Sequence, residues 1–366
     1  MLPTPRSQPQ ASSSGAAIII FITLVLLVFT TILIAQISVN KNKSARMQNN
    51  SQVLDLTQSA IFGFALSHPI PGTLPCPDTN GDGSENTMAG GCTSQLGLLP
   101  YFTLGLDNLD DSSGSDLWYA VETSYTVNAA GQRNSSTPSA ITLNGQPVSH
   151  VIIAPGIALE GQNRSPLTQA NFLEGINADS NLNTYDNITT DTQNDVVLGS
   201  PLSSFWTLIE QRVLAEAHLL TTTYHTVCNQ YPWAANFGGP YTSVPNQQIG
   251  SLPFAAALPF NWGAPCVLGI APTPTNWLVT HWSDQLFYHM CTNLAGNCLT
   301  VKDSGSSPAA AIILAPGSRL SGQTRPTAVA SDYFEAENVS LPDEEYRAAN
   351  PIDHSGGYND LSNPLP

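Results

Sequence analysis

The chain begins with a long apolar run that gives way to a helical pattern of apolar positions. Residues 16–37 carry no charge and are interrupted only by threonines and one glutamine. A helix of that length, at about 1.5 Å per residue, crosses a bilayer core of roughly 30 Å. The run is longer than the apolar part of a secretory signal and has no small-residue cleavage site behind it. It therefore predicts a retained transmembrane helix.

The helical pattern continues beyond this run. Apolar side chains recur at steps of seven and four residues on one helical face, at Met47, Leu54, Ile61 and Ala65. The first proline after them is Pro69. We therefore expect residues 38–68 to extend the transmembrane helix as an amphipathic segment.

A second helix is predicted further along the chain. Apolar residues recur there at three- and four-residue steps, at Ile209, Val213, Ala217, Leu220, Tyr224 and Val227. Thr207 and Glu210 have the spacing of a capping box, which predicts that this helix starts at Thr207.

One stretch of sequence occurs twice. The segments "VIIAPGIALEGQNR" and "IILAPGSRLSGQTR" occupy residues 151–164 and 312–325, an interval of 161 (312 − 151). The same interval separates three pairs: Arg164 and Arg325, Glu174 and Glu335, and Asn177 and Asn338. Chance rarely keeps so many positions in one register, so the pattern predicts an internal repeat.

Each copy has the same predicted order of elements. A helix is followed by a Pro-rich loop, short strands that include the aromatic segments 115–121 and 283–290, an Ala-Pro-Gly turn and a Gly-Gln-x-Arg tail. A helix packed on a small antiparallel sheet is the α+β arrangement for such an order. Within each copy we expect the arginine to pair with the glutamate as a buried tie; the alternative is that these residues line a ligand pocket.

The N-terminal pattern resembles that of a known class of proteins. A short polar leader ends in Gly15, an apolar helix begins at Ala16, and an amphipathic extension follows, which resembles a type IV pilin or a type II secretion pseudopilin. "LPCPDTNGDGSEN", "GLLPYFTLGL" and "DLWYAV" resemble segments of large prepilin-type proteobacterial proteins. The resemblance implies cleavage between Gly15 and Ala16 by a prepilin peptidase. It also implies contacts with other pilin-like subunits, inner-membrane assembly proteins and membrane lipid.

The sequence departs from this family at two positions. The family usually has phenylalanine at the first mature position and glutamate at the fifth, whereas this chain has Ala16 and Ile20. Large tip pseudopilins likewise have an uncharged residue at the fifth position. The resemblance therefore implies a subunit at the tip of a filament.

Together these patterns predict an α+β fold with a long N-terminal membrane-spanning helix and two tandem pilin-like domains, each a helix on an antiparallel sheet. The predicted segments are a leader at 1–15, a transmembrane helix at 16–37, its amphipathic extension at 38–68, a first globular domain at 69–200 and a second at 201–366.

The charge balance excludes one class of partner. Of 27 acidic and 11 basic residues, no acid precedes Asp55, and four of the bases lie in the first 50 residues. The rest of the chain therefore carries 27 acids and 7 bases (11 − 4), which leaves too few cations to neutralise phosphates. We expect no nucleic-acid partner.

The six cysteines indicate an oxidising compartment. Their spacing favours Cys291–Cys298 first and Cys76–Cys92 next, with Cys228–Cys266 left by elimination; free buried thiols are the alternative. Basic residues after the apolar run favour a cytoplasmic C-terminal flank, but the cysteines favour the opposite orientation. We therefore expect a single-pass protein of the bacterial inner membrane, with its globular part in the periplasm or on an extracellular filament.

One loop has the spacing of a calcium site. Asp78, Asn80, Asp82 and Gly83 occupy the first, third, fifth and sixth positions of such a loop. The twelfth position, where a bidentate acid belongs, is alanine, so Glu85 is the remaining candidate ligand. A solvated turn held by the nearby cysteines is the alternative. Calcium is the one cofactor that the sequence predicts.

No catalytic pattern accompanies these features. The chain contains neither HExxH nor GxSxG, and His218 and His225 stand seven residues apart on the second predicted helix without further ligands. The leading hypothesis is therefore a minor pilin-like or pseudopilin-like structural subunit of a type IV pilus or type II secretion apparatus, and not an enzyme. The alternative is a single-pass, membrane-anchored periplasmic protein that binds a ligand or acts in adhesion.

Overall fold

The structure, a computed structural model, describes residues 14–254, 276–291, 298–302, 306–320, 322–339, 345–347 and 359–365. Contacts divide the chain into two units, Met1–Gln52 and Val53–Pro366. The first unit is described as helix from Ser14 onward, and residues 1–13 of the predicted leader lie outside the described residues. The predicted domain boundary at residue 201 falls inside the second unit and stays a prediction.

Four α-helices lie in the described part of the chain: α1 (Ser14–Ser67), α2 (Gln169–Phe172), α3 (Leu202–Cys228) and α4 (Asn276–Trp282). α1 ends one residue before the predicted end of its extension. From residue 53 onward it buries Leu54, Ile61 and Ala65, three of the four positions that the helical pattern selected. Met47, the fourth position, is half exposed.

The predicted capping box of the second helix is wrong. α3 begins at Leu202, after Pro201, and Thr207 lies inside the helix, where its hydroxyl donates to the carbonyl of Ser203. Glu210 is fully buried in the helix interior. α3 ends where Asn229 adopts a left-handed conformation (φ 53°) and donates its N–H to the carbonyl of His225.

The strands of the described residues are β1 (Thr87–Met88), β2 (Gly91–Cys92), β3 (Leu96–Leu98), β4 (Trp118–Val121), β5 (Thr142–Leu143), β6 (Gln146–Ala154), β7 (Thr184–Tyr185), β8 (Val196–Pro201), β9 (Ile249–Ser251), β10 (Phe287–Met290), β11 (Leu299–Lys302), β12 (Ser306–Ala309), β13 (Ala311–Ala315), β14 (Glu345–Arg347) and β15 (Leu361–Leu365). Four 3₁₀ turns lie at Thr123–Tyr125, Gly175–Ala178, Ala330–Asp332 and Ala336–Val339.

The two copies of the repeat form sheets with the same strand order. In the first copy (residues 69–201), β3, β4, β6 and β8 are neighbours in that order, all antiparallel. In the second copy (residues 202–365), β9, β10, β13 and β15 are neighbours in the same way. Each copy adds a short parallel pair, β5 with β7 and β11 with β14. The repeated sequence thus corresponds to a repeated strand topology.

The residues of each central strand alternate between two hydrophobic clusters, as a strand buried on both faces requires. In β4, Tyr119 and Val121 face one cluster, whereas Trp118 and Ala120 face another. The first cluster also contains Tyr288 of β10, so one core lies against both sheets. The buried face of α3 adds aromatic rings to this first cluster, and the ring centroids of Phe205 and Trp206 are 4.9 Å apart.

The predicted fold class is wrong. In the part of the chain that the structure describes, no helix is both long enough and apolar enough to cross a membrane. α3 carries Glu210, Arg212 and Glu216, so it lacks the run of about 20 consecutive apolar residues that a membrane span needs. The tandem helix-on-sheet domains are replaced by a mixed α/β unit in which strands predominate and both sheets share one core.

Candidate functional site: a buried polar network built twice

A glutamine lies between the arginine and the glutamate that the sequence paired in the first copy. Gln162 Oε1 accepts hydrogen bonds from Arg164 Nε (3.3 Å) and from the backbone N–H of Leu159 (3.1 Å). Gln162 Nε2 donates to Glu174 Oε1 at 2.9 Å. Arg164 and Glu174 are therefore joined through the amide of Gln162.

An aspartate from β8's N-terminal flank completes this network. Asp195 is fully buried, and its Oδ2 accepts from the backbone N–H of Glu174 (2.9 Å) and from Asn177 Nδ2 (3.2 Å). In return, Glu174 Oε2 accepts from the backbone N–H of Asn194 at 3.1 Å. The two carboxyl groups thus hold the segment after the Ala-Pro-Gly turn against the strand that closes the sheet.

The second copy repeats these bonds one for one. Gln323 Nε2 donates to Glu335 Oε1 at 2.6 Å, and the N–H of Glu335 donates to Asp360 Oδ2 at 3.1 Å. Asn338 Nδ2 donates to the same oxygen at 3.0 Å, and the N–H of Asn359 donates to Glu335 Oε2 at 3.2 Å. We call the two sets the closing networks; their shared members are Gln162, Arg164, Glu174, Asn177 and Asp195, and Gln323, Arg325, Glu335, Asn338 and Asp360.

The arginines of the closing networks bind main-chain carbonyls of the repeated turn. The NH2 group of Arg164 donates to the carbonyl of Pro155, and that of Arg325 to the carbonyl of Pro316, each at 3.2 Å. Among the described residues, neither guanidinium is hydrogen-bonded directly to a carboxylate. Their role in the geometry is to fix the Ala-Pro-Gly turn, and the predicted direct arginine–glutamate tie is an indirect one.

Burial sets the protonation of the aspartates in these networks. Removal from water raises the pKa of Asp195 to about 8, and the nearby charge of Glu174 adds to the rise. Burial likewise raises the pKa of Asp360 far above its ordinary value, again with a contribution from the neighbouring Glu335. At neutral pH each closing network therefore favours a protonated aspartate, because burial and the adjacent glutamate both disfavour its charged form.

Sequence reasoning missed both aspartates. The dipeptide Asn-Asp precedes the closing strand in each copy, at residues 194–195 and 359–360, but the interval is 165 (359 − 194). Because this interval differs from the 161 residues that separate the other repeated positions, a search at that one interval does not find the second dipeptide. A search for the dipeptide before a C-terminal strand in each copy would have found it.

The predicted calcium loop is closed by its own backbone. Asp78 Oδ1 accepts from the N–H groups of Asn80 (3.0 Å) and Gly81 (2.8 Å), and its Oδ2 accepts from that of Gly83 (2.7 Å). Asn80 Nδ2 donates to Asp82 Oδ2 at 2.9 Å. Glu85 forms a different contact: its Oε2 accepts a hydrogen bond from the backbone N–H of Cys76. No group of three histidine, cysteine or acidic side chains suited to a metal ion occurs among the described residues.

Calcium binding at this loop stays a prediction with a direct measurement. If Asp78, Asn80 and Asp82 bind the ion, millimolar calcium raises the melting temperature of the protein, because a ligand of the native state stabilises it by mass action. Asp82→Ala abolishes the increase, whereas the control Asp107→Ala, at an exposed acid outside the loop, keeps it. An unchanged melting temperature in the wild type would identify the loop as a turn stabilised by the disulfide.

Two of the predicted disulfides are confirmed. Cys76 pairs with Cys92 and Cys291 with Cys298. Cys228 is also disulfide-bonded, and Cys266 lies outside the described residues. The predicted processing residues Gly15 and Ala16 are the second and third residues of α1.

The two histidines of the second helix have separate surroundings. His218 Nδ1 lies 2.8 Å from Asn363 Oδ1 of β15, and the ring of His225 stacks on Tyr231. The first contact joins α3 to β15, and the second joins it to the segment that follows α3.

Comparison with known proteins finds no matching family model, no similar curated protein and no similar solved structure. The pilin-like resemblance therefore rests on the sequence patterns alone.

Proposed function

We propose that this protein is a pilin-like or pseudopilin-like structural subunit of a type IV pilus or type II secretion apparatus, with no catalytic role. The observation that carries the proposal is the closing network, built twice from the same residue types. Its aspartates are fully buried, and its charged groups are used to hold backbone segments, whereas a catalytic site must present such groups to a substrate. We therefore assign both closing networks a structural role.

The continuity of α1 supports the same proposal. The helix runs unbroken from Ser14 to Ser67 and contains Gly15 and Ala16 in its first turn. The resemblance implies a helix that starts at the processing site and leads into the globular unit at its other end. The proposal assigns cleavage between Gly15 and Ala16 to a prepilin peptidase and assembly to other pilin-like subunits.

The disulfides support a position outside the cytosol. Disulfides persist in oxidising compartments such as the bacterial periplasm, and two are described within the second unit. The proposal is that the processed chain is retained at the bacterial inner membrane, with the unit Val53–Pro366 in the periplasm or on a filament.

The mature N-terminus tests this proposal. In a host that has a prepilin peptidase, mass spectrometry of the extracted protein is expected to find Ala16 at the N-terminus, and a peptidase-deficient strain is expected to retain the leader. An intact leader in both strains, or a cut beyond residue 37, would remove the pilin-like proposal.

Ile20 extends the proposal to a position at the filament tip. In the family that the chain resembles, the glutamate at the fifth mature position lies in an apolar core, where a charge is tolerated only when paired. A topmost subunit has no neighbour to pair with and can lack the charge. Immunogold labelling is therefore expected at filament ends, and label along the whole shaft would contradict the tip position.

A second function, ligand binding or adhesion by an anchored periplasmic protein, is favoured by one feature. The first copy contains a groove of about 350 Å³ lined by Leu98, Trp118, Leu167 and Leu182, and the second copy has Phe287 at the position of Trp118.

A further inference from the structure

A largely buried polar contact joins the two copies of the repeat. A loop of the first copy, residues 133–136, lies against residues 281–285 of the second copy, which form the end of α4 and the segment after it. Ser136 Oγ donates to Gln285 Oε1 at 2.8 Å. We call the residues of these two segments the inter-copy contact.

Asn134 makes two of the bonds in the inter-copy contact. Its side chain is buried, and its Nδ2 donates to the carbonyl of His281 at 2.6 Å and to Asp284 Oδ1 at 3.1 Å. A protonated aspartic acid keeps an oxygen that can accept such a bond. The bonds of Asn134 therefore survive a change in the charge of Asp284.

His281 contributes a bond that requires a neutral ring. Its Nδ1 accepts a hydrogen bond from the backbone N–H of Arg133 at 3.2 Å. A ring nitrogen accepts only while it carries no proton, and a protonated histidine has donors at both nitrogens. Protonation of His281 therefore breaks this bond and leaves two N–H groups facing each other.

The charge next to this bond also disfavours a proton on His281. Arg133 is buried, its guanidinium donates to the hydroxyl of Thr73, and among the described residues it forms no ion pair with an acid. A second cation near this guanidinium would be repelled without a compensating carboxylate. Burial, and then the Arg133 guanidinium, lower the pKa of His281 to about 4.

The acids near the contact do not supply the missing negative charge. Glu210 of α3 faces Ser135, and burial raises its pKa to about 7, so this carboxyl group loses its charge as the pH falls. Burial also raises the pKa of Asp284. Burial and, to a smaller extent, the Arg133 guanidinium lower the pKa of His68. The two histidines therefore favour loss of the contact in acid, and the raised pKa values of the two acids act in the opposite direction.

We propose that the inter-copy contact is a pH-sensitive switch, in which a proton on His281 releases the loop at residues 133–136 from the second copy. The shared hydrophobic core, which includes Tyr119 and Tyr288, keeps the two sheets together after the release. Release is favoured below about pH 6.5, the ordinary pKa of a histidine in water, because the released ring takes up a proton that the closed contact excludes. The inference does not depend on the pilin-like proposal, since neither cleavage nor filament assembly enters the argument.

Hydrogen–deuterium exchange of the full-length protein measures the release. The backbone N–H groups of Arg133, Asn134 and Ser136 are all hydrogen-bonded in the closed loop. Exchange of a peptide that covers residues 133–137, corrected for the intrinsic rate at each pH, therefore gives the equilibrium constant for opening. From pH 7 to pH 5 this constant is expected to rise at least about fivefold, without a comparable rise in peptides of β6. An unchanged constant, or an equal rise in β6, would overturn the local release.

His281→Asn is the matched variant, because asparagine Oδ1 can accept from the N–H of Arg133 but takes up no proton. The ratio of the wild-type opening constant to that of the variant is expected to rise about twentyfold from pH 7 to pH 5. This factor follows from a pKa of about 4 in the closed contact and about 6.5 in the open one. The other titratable groups near the contact are common to both proteins and cancel in the ratio. A ratio that does not change with pH would overturn the role of His281.

His218→Asn is the control for removal of a histidine elsewhere. His218 is partly buried on α3, where its ring nitrogen lies 2.8 Å from Asn363 Oδ1, outside the inter-copy contact. This variant is expected to keep the pH dependence of the wild type at residues 133–137. Loss of that dependence in His218→Asn as well would show that the release is not specific to His281.

Discussion

Raising the pH from about 7 to about 8 is expected to lower the free energy of unfolding of this protein, because the closing networks then lose the protons that they hold. The pKa of Asp195 is about 8 in the folded protein, well above its value in the unfolded chain. Stability from such a raised pKa is complete below the unfolded pKa and is lost as the pH rises through the folded pKa. For each carboxyl group that keeps its proton in the folded protein, the free energy of unfolding falls by up to about 1.4 kcal/mol per pH unit.

The pH window is chosen to exclude the buried histidines. Burial lowers the pKa of His281 to about 4 and that of His150 to about 3, so these groups make stability rise with pH, but only up to the pKa of an unfolded histidine near 6.5. Above about pH 7 they no longer contribute. Glu210, whose pKa burial raises to about 7, acts in the same direction as the aspartates.

The double variant Asp195→Asn, Asp360→Asn isolates the contribution of the closing networks. An asparagine keeps an oxygen that can accept from the N–H of Glu174 or Glu335, but it has no proton to lose. Urea unfolding at several pH values is expected to show a shallower decline for this variant than for the wild type, and the exposed control Asp107→Asn is expected to keep the wild-type slope. Identical slopes in the wild type and the double variant would contradict the protonated networks.

Gly317→Ala is expected to destabilise the protein far more than Gly322→Ala. Both glycines have left-handed backbones, with φ of 66° and 92°, so alanine costs about 1–2 kcal/mol at either position. A Cβ at Gly317 would also lie 2.5 Å from the carbonyl oxygen of Asn359, whereas a Cβ at Gly322 meets nothing within 4 Å. Overpacking against backbone adds about 1–3 kcal/mol, and Asn359 cannot retreat without breaking its bond to Glu335.

The first copy provides the same comparison. A Cβ at Gly156 would lie 2.8 Å from Asn194 Oδ1, and one at Gly161 meets nothing within 4 Å. Chemical denaturation of the four variants is expected to separate each close-packed glycine from its open partner by at least about 1 kcal/mol. Equal losses within each pair would show that the Ala-Pro-Gly turn is not held against the Asn-Asp segment.

Local signals in the sequence located several parts of this structure. The steps of seven and four placed Leu54, Ile61 and Ala65 on one buried face of α1, because helical periodicity is a property of neighbouring residues. Short loops made Cys76–Cys92 and Cys291–Cys298 the favoured disulfides. The prediction of the start of α3 was wrong. Thr207 and Glu210 have the spacing of a capping box, but both lie inside the helix.

By itself the sequence determined the repeat, two disulfides and the pairing of Arg164 and Glu174 with Arg325 and Glu335, since each of these is recorded as spacing along the chain. Only the tertiary structure decided that Gln162 and Gln323 lie between those charges and that Asp195 and Asp360 complete the networks. The folded chain also placed residues of both sheets in one hydrophobic core. The physical reason is that burial, the partner of a charge and the sharing of a core depend on contacts between segments far apart in sequence, which no periodicity encodes.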